Sequence, residues 1–252
     1  MNSVASDNGA AGRYLGQLTW PEATTALQDL PIVLLPFAAG AKEHGPHLAM
    51  NADQVVMEYL LDAVVESMEV LVAPPILHGW FPAFRDFPGT EVADPGVFQN
   101  YVREVAESLI RHGAQRLVLL NMGVARATGL PLGVVARDLH VDHGLPVLLI
   151  SWDDLETDEV AEFSEQRRGG HADEIETSLN LYLQPERVYM ERAVADYRGD
   201  PARQIGYAPG KFTAEESGVF GDPTLATAEK GERVLAIMRS NLLEALEQFA
   251  ER

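Results

Sequence analysis

Two patterns of apolar and polar residues alternate along this chain: short unbroken apolar runs and longer stretches with helical spacing. The unbroken runs predict strands that are buried on both faces, at 31–36, 70–74, 116–121 and 146–152. Apolar residues three and four positions apart predict helices, and the clearest of them ends before Gly113, where a C-terminal cap glycine belongs. The predicted helices lie at 19–29, 55–68, 97–112, 130–142, 171–183 and 223–250.

Strands that alternate with helices predict an α/β fold of three layers, αβα, in which helices cover both faces of a mostly parallel sheet. No Ser/Gly-rich linker or charge block divides the chain, so we expect a single domain over residues 19–252, preceded by a flexible tail at 1–18. The first helix begins with a capping box made by Thr19 and Glu22. Ligands of such sheets bind at the carboxyl ends of the strands, so the loops that follow the four strands should share one pocket.

Charge and composition narrow the class of protein. The 252 residues include 38 acidic and 19 basic side chains, and the net charge of −19 argues against a nucleic-acid partner, because phosphates need Lys and Arg. No apolar run approaches the roughly 18 residues of a membrane span, and the N-terminus lacks the features of a signal peptide. We therefore expect a cytoplasmic protein without a membrane partner. The chain has no cysteine, so any metal must bind to nitrogen and oxygen ligands.

The segment with the most candidate functional side chains follows the first predicted strand. Glu43, His44, His47 and Asp53 fall within eleven residues on a loop bent by glycine and proline. Imidazole and carboxylate groups at this density are typical of a divalent metal site. A solvated polar loop with incidental histidines is the alternative, because a His-x-x-His pair on a loop does not have the fixed geometry of HExxH on a helix.

In this loop Glu43-His-Gly-Pro-His-Leu48, followed by Asp53, resembles the first motif of the creatininase (creatinine amidohydrolase) family, which reads Glu-x-His with an aspartate nine residues after that histidine. Three further segments are similar to motifs of that family, in the same order. They are Phe87-Pro-Gly-Thr90, Gly170-His-Ala-Asp-Glu-Ile-Glu-Thr-Ser178, and Gly218-Val-Phe-Gly-Asp-Pro-Thr224 with Ala228-Glu-Lys-Gly231. The resemblance covers nearly the whole chain and implies a creatininase-like fold that assembles as a homo-oligomer.

The resemblance implies an amidohydrolase, a metal-dependent hydrolase of a C–N bond in a small amide, lactam or cyclic amide whose identity the sequence does not give. His44 and Asp53 would be metal ligands, and Glu43 is a further candidate ligand displaced by one position from the family pattern. His171 and Glu176 match family residues that would support proton transfer, with Glu43 and Lys42 as further candidate catalytic groups.

Two departures from the family pattern change the expected site. Lys42 stands where the family has its first glutamate ligand, and the Asn-Gly-His loop that Asn121 would open has Gly123 and Ala125 at its other ligand positions. We therefore expect one divalent ion, Zn, Mn or Fe, rather than two. Two alternatives remain open: a metal-independent cyclase, dehydratase or lyase that uses Lys42, Glu43 and His171 for acid–base chemistry, and a non-catalytic homologue that binds a small molecule.

The expected partner is a small-molecule substrate, and the candidates for binding it follow the predicted strands. The aromatic loop at 78–90 could form a substrate wall, or could equally pack on the core. Arg126 could pair with a substrate carboxylate, although a salt bridge within the protein is the simpler interpretation. The candidate substrate-binding residues are Trp80, Phe84, Asn121, Arg126 and Trp152.

Overall fold

Within the part of the chain that the structure describes, the sheet has five parallel strands. The computed structural model describes residues 11–123, 125–198 and 217–251, apart from the side chains at 125 and 126. All neighbouring strands run parallel, which confirms the predicted parallel sheet. The strands are β1 (Arg13–Tyr14), β2 (Ile32–Phe37), β3 (Val70–Val72), β4 (Leu117–Asn121) and β5 (Val147–Ser151). Their order across the sheet is β1-β3-β2-β4-β5.

Helices cover both faces of this sheet, which confirms the three-layer αβα fold. They are α1 (Trp20–Asp29), α2 (Ala52–Ser67), α3 (Pro95–Arg111), α4 (Ala125–His143), α5 (Trp152–Leu155), α6 (Asp158–Ala161), α7 (Glu174–Leu183) and α8 (Ala228–Ala250). Successive residues of a strand point to opposite faces, so Leu34 packs in the core beneath α2, α7 and α8, whereas Leu35 packs beneath α1, α3 and α4. The unbroken apolar runs follow from this burial on both sides.

The N-terminal segment differs from the expected tail. Arg13 and Tyr14 pair with Leu71 and Val72 and form the edge strand β1, and the Tyr14 hydroxyl donates a hydrogen bond to Asp62 at 2.5 Å. Residues 13–17 are therefore part of the fold, and residues 1–10 lie outside the described chain. A strand of two residues that is joined mainly through its backbone is too short to show a periodic pattern of apolar residues in the sequence.

Helix boundaries follow capping side chains. Glu22 accepts the Thr19 backbone N–H at 2.7 Å, as the capping box predicts. α7 begins at Glu174 rather than 171, because the Asp173 carboxylate accepts the N–H groups of the first turn. α4 begins at Ala125, earlier than predicted, and contains Pro131 in its interior. Among the described residues, no helix combines the length and the apolar character that a membrane crossing requires.

Candidate functional site

The loops after the strands converge on one cavity, as the parallel sheet predicts. The cavity has a volume of about 690 Å³ and lies at the carboxyl ends of the strands. Each strand-following segment contributes to its lining: Lys42 after β2, Phe84 after β3, Gly123 after β4, Trp152 after β5 and His171 before α7. Lys42, Phe84, Trp152, His171 and Glu176, all singled out from the sequence, therefore share this cavity.

The loop between β2 and α2 buries its polar groups. Lys42, Glu43, His44, His47 and Asp53 are each at most 8% exposed. Burying charged and polar groups is unfavourable unless they are paired or hydrogen-bonded. The alternative of a solvated polar loop is therefore wrong, and the partners of these groups define the site.

Asp53, in the first turn of α2, joins two members of the loop. Its Oδ1 lies 2.8 Å from His44 Nε2, and its Oδ2 lies 2.9 Å from Lys42 Nζ. Burial alone would raise the pKa of Asp53, but the charges of Lys42 and His44 and their hydrogen bonds hold it well below its usual range. The carboxylate is therefore ionised throughout the physiological pH range.

The orientation of His44 is suited to binding a cation. Its Nδ1 lies 2.9 Å from the Lys42 carbonyl oxygen, which can only accept, so Nδ1 carries the hydrogen and donates. In the neutral ring, Nε2 then carries a lone pair and faces the Asp53 carboxylate oxygen at 2.8 Å. Two acceptor atoms this close require a proton or a cation between or beside them. Metal-binding histidines are commonly oriented by such a backbone hydrogen bond.

A second histidine approaches from the other side. His171 Nε2 lies 3.1 Å from Glu43 Oε2, and its Nδ1 lies 3.6 Å from Glu176 Oε2. Burial, followed by the charges of Lys42 and His44, lowers the pKa of His171 well below its usual value, so its ring is neutral. A neutral imidazole is the form that binds metals.

Two carboxyl groups beside His171 have raised pKa values. Burial raises the pKa of Glu43 to about 7, although the Gly45 N–H that donates to its Oε1 opposes the shift. Burial also raises the pKa of Glu176 to about 8, and its Oε2 accepts the Ala172 N–H at 2.6 Å. Groups that titrate near neutral pH can both give and take protons under physiological conditions.

Three side chains form a group that could hold an ion. One ligand atom from each of His44, His171 and Glu176 lies within 4.8 Å of the other two. Two imidazoles and one carboxylate suit Zn, Mn or Fe, so the residues present fit one divalent ion. The predicted ligands Asp53 and Glu43 lie directly beside this group, in contact with His44 and His171 respectively.

His47 lies apart from this group and points towards α7. Its Nε2 lies 2.8 Å from the Thr177 hydroxyl, and burial lowers its pKa to about 4. The close approach of Gly45, which has a φ of +66°, leaves no room for a side chain beside the imidazole. His47 therefore links the loop between β2 and α2 to α7, the helix that carries Glu176.

The candidate substrate-binding residues have different environments. Phe84 is buried with its ring centroid 4.2 Å from that of His171, so it packs directly on the site. Trp152 is partly exposed and donates its Nε1–H to Glu156 at 2.7 Å. Asn121 donates to the Ser151 hydroxyl at 3.3 Å, and its Oδ1 accepts the Gly123 N–H. Trp80 packs in the aromatic cluster of Phe81 and Phe84, and the Arg126 side chain lies outside the described part of the structure.

Sequence reasoning missed two acidic residues in the cavity wall, Glu156 and Asp173. Burial, followed by the charge of Asp173, raises the pKa of Glu156 to about 7. Burial also raises the pKa of Asp173, which accepts a hydrogen bond from the Gln166 amide at 2.7 Å. The surrounding segment, 153–170, is so rich in charge that its sequence is typical of a solvated surface. Only the position of Asp173, two residues after His171, could have indicated a place near the site.

Fold and site together define a class: α/β enzymes that gather histidine and carboxylate donors at the carboxyl ends of a parallel sheet. A family model described as creatininase, creatinine amidohydrolase, matches residues 16–246. The chain therefore belongs to the creatininase family, which makes it a hydrolase of the amidohydrolase type.

Curated relatives of the chain carry several activities. The creatinine amidohydrolase of Pseudomonas putida is 28% identical, and the match covers 93% of this chain and 96% of that protein. A mycofactocin precursor peptide peptidase of Mycolicibacterium smegmatis is 26% identical, with 87% and 86% covered. A 3-dehydro-scyllo-inosose hydrolase of Thermotoga maritima is 25% identical, with 96% and 85% covered. All three are named as hydrolytic enzymes.

Solved creatininase structures are also similar to this fold. A creatininase described as the Mn form has a TM-score of 0.78 at 26% identity, covering 94% of this chain and 98% of that chain. A mutant creatininase of Zn–Zn type has a TM-score of 0.79 at 26% identity, covering 93% and 97%. A mutant creatininase complexed with creatine has a TM-score of 0.78 at 27% identity, covering 94% and 98%.

Proposed function

We propose that this chain hydrolyses a C–N bond in a small amide, lactam or cyclic amide with one bound divalent ion, Zn, Mn or Fe. The observation that carries the proposal is the group of His44, His171 and Glu176, whose ligand atoms lie within 4.8 Å of one another. Solved relatives with Mn and with Zn support this choice of metal. The ion, when bound, would lower the pKa of a water molecule and polarise the amide carbonyl.

The protein's own residues prepare this chemistry. The Lys42 carbonyl fixes the His44 ring through Nδ1, and Asp53 lies beside the opposite ring nitrogen. The Ala172 N–H holds Glu176 at the start of α7. These contacts keep the donor atoms in place before a ligand arrives, which limits the reorganisation that binding requires.

Glu43 is our candidate for the proton-transfer group. Its pKa of about 7 gives comparable amounts of the acid and the base at neutral pH, so it could accept a proton from water and return it to the leaving nitrogen. Its Oε2 lies 3.1 Å from His171 Nε2, so it also orients that ring. Glu176, at a pKa of about 8, could also give and take protons near neutral pH when no ion is bound.

The cavity favours a small substrate. Its volume of about 690 Å³ falls in the usual range for small-molecule sites. Phe84 and Trp152 offer apolar surface, and Asn121 lies at the end of β4, where its amide could contact a carbonyl group of the substrate. The complex of a related creatininase with creatine supports a small-molecule partner. Assembly as a homo-oligomer and a cytoplasmic location remain predictions.

The test is metal content together with hydrolysis. After reconstitution with Zn or Mn, plasma mass spectrometry should find about one equivalent in the protein, and His44→Ala and His171→Ala should each lose most of it. His112→Ala is the matched control, because His112 is exposed at the end of α3. The loaded protein should hydrolyse at least one member of a panel of amides and lactams. Absence of bound metal after reconstitution contradicts the proposal.

A metal-independent acid–base enzyme is the second candidate. The ion pair of Lys42 with Asp53 favours it, since a lysine ammonium already balances the charge of that carboxylate. In that case turnover would survive a strong chelator and would be lost in Glu43→Gln. Turnover that disappears with the chelator and returns with Zn or Mn excludes this candidate.

A further inference from the structure

We infer that the Lys42 ammonium is a built-in cation that takes the place of a second metal ion beside Asp53, so that the site admits one ion only. The inference deepens the proposed function and rests on it for the first ion. The buried Lys42 side chain lies beside Asp53, which also contacts His44 of the donor group.

The Asp53 carboxylate faces a different partner on each side. Oδ1 is 2.8 Å from His44 Nε2, on the side of the three-residue donor group, whereas Oδ2 is 2.9 Å from Lys42 Nζ. Both the lysine and the aspartate side chains are at most 3% exposed. A carboxylate with a ligand histidine at one oxygen could bind a second cation at the other. In this protein the side chain of Lys42 occupies that position.

Aromatic rings enclose the ammonium. Lys42 Nζ lies 5.1 Å from the centroid of the Phe84 ring and 6.0 Å from that of Phe81, both of which are buried. Ring faces attract cations, and the apolar surroundings exclude the water that would otherwise solvate Nζ. The Lys42 backbone N–H also donates to the Met50 carbonyl across the loop. The lysine is thus held from both its backbone and its side chain.

A second divalent ion would meet strong repulsion at this position. An ammonium and a divalent ion in contact with one buried carboxylate repel each other in a medium of low effective dielectric constant. Gly123, which also lines the cavity, offers no side-chain ligand, and a Cβ there would lie 3.2 Å from the Phe81 ring. The Lys42 ammonium therefore balances the charge of Asp53 without a further ion.

The experiment compares Lys42→Glu, Lys42→Arg and the wild type by metal content and calorimetric titration with Zn and Mn. We expect about one equivalent at saturation in the wild type and in Lys42→Arg, and about two in Lys42→Glu, which replaces the cation with a ligand. Arg85→Glu is the charge-matched control and should stay at one, because Arg85 is 66% exposed on the aromatic loop. Circular dichroism checks that each variant folds.

If Lys42→Glu does not fold, Lys42→Met takes its place, since it removes the ammonium without adding a charge. It should gain a second, weaker binding event in the titration, and a single event overturns the inference. Two equivalents in the wild type, or one in folded Lys42→Glu, also overturn it and leave the hydrolase proposal intact. No metal in the wild type contradicts the proposed function, and the inference, which requires a first bound ion, is then overturned with it.

Discussion

At the scale of single residues, the site places buried acids beside neutral histidines. Glu43, Glu156 and Glu176 all have pKa values raised to about 7 or 8 by burial. Glu43 and Glu176 lie beside His171, whereas Glu156 accepts the Trp152 Nε1–H in the wall of the cavity that Glu176 also lines. Ionisation of Glu156 should therefore affect stability, and the charge of the nearby candidate ligand Glu176 contributes to its raised pKa.

Glu156→Gln should make the protein more stable at pH 8 and leave its stability nearly unchanged at pH 4. The folded-state pKa of about 7 exceeds the ordinary value of 4.5, so protonated Glu156 stabilises the fold at low pH and this contribution is lost as pH rises through 7. Glutamine keeps an acceptor for Trp152 and removes the cost of the buried charge, on the order of 1–3 kcal/mol at pH 8.

Urea unfolding between pH 4 and pH 8 measures this difference. Glu159→Gln is the control, because Glu159 is exposed on the neighbouring helix α6. Equal pH dependence in Glu156→Gln and the wild type would show that burial does not raise the pKa of Glu156.

The residues of the candidate site differ in how far the sequence alone could identify them. His44, Asp53 and His171 were identifiable because their motifs are dense and match a family. The ion pair of Lys42 with Asp53 was not, because it depends on the path of a loop across eleven positions. Glu176 was assigned to proton transfer, and only its distance from the two histidines makes it a candidate ligand as well.

At the scale of elements, α7 carries much of the site. Asp173 caps this helix by accepting the N–H groups of Ile175 and Glu176 at 2.9 and 3.0 Å. His171 lies just before the cap and Glu176 in the first turn, so the cap fixes both relative to His44. Ala172 between them has a φ of +46°, a conformation that non-glycine residues rarely adopt and that the surrounding contacts must hold.

Asp173→Ala should lower the free energy of unfolding by about 1–2 kcal/mol and weaken metal binding, because the cap and the Gln166 contact are both lost. Asp94→Ala is the matched control: Asp94 caps α3 in the same way, by accepting the Gly96 and Val97 N–H groups. It should lose similar stability and keep its metal affinity. Chemical denaturation and calorimetric titration measure the two effects, and equal metal affinity in both variants would contradict this role of α7.

Strands and helices also differ in how well the pattern of apolar residues predicts them. β2 and β4 were predictable because both faces of these central strands are covered, which requires an unbroken apolar run. The edge strand β1 has two residues, too few for any period. The early start of α4 was hidden because Gly129 and Pro131 resemble a loop in sequence, and a proline in a helix interior removes a backbone hydrogen bond.

At the scale of the whole molecule, acidic side chains outnumber basic ones. With 38 acidic and 19 basic side chains the net charge is −19, so the folded chain repels itself. Several surface ion pairs partly offset this, such as Arg103 with Asp142 at 2.6 Å. Exposed pairs of this kind contribute little each, about 0–1 kcal/mol, and cannot balance the excess of acid.

Thermal stability should therefore rise as NaCl increases from about 10 to 200 mM, because the screening length shortens to less than the distance between many surface carboxylates. Differential scanning fluorimetry at pH 7.5 measures the change, with potassium chloride as a check on ion specificity. A melting temperature that falls with salt would mean that the ion pairs outweigh the net repulsion.

The contact between Glu43 and His171 joins residues 128 positions apart, so the two halves of the donor group meet only when most of the chain has folded. An ion held by both halves would close a loop of that length, and it would bind the native state but not the unfolded chain. Metal supply would then set how long the folded protein survives proteases. Cells short of the ion would lose the protein as well as its activity.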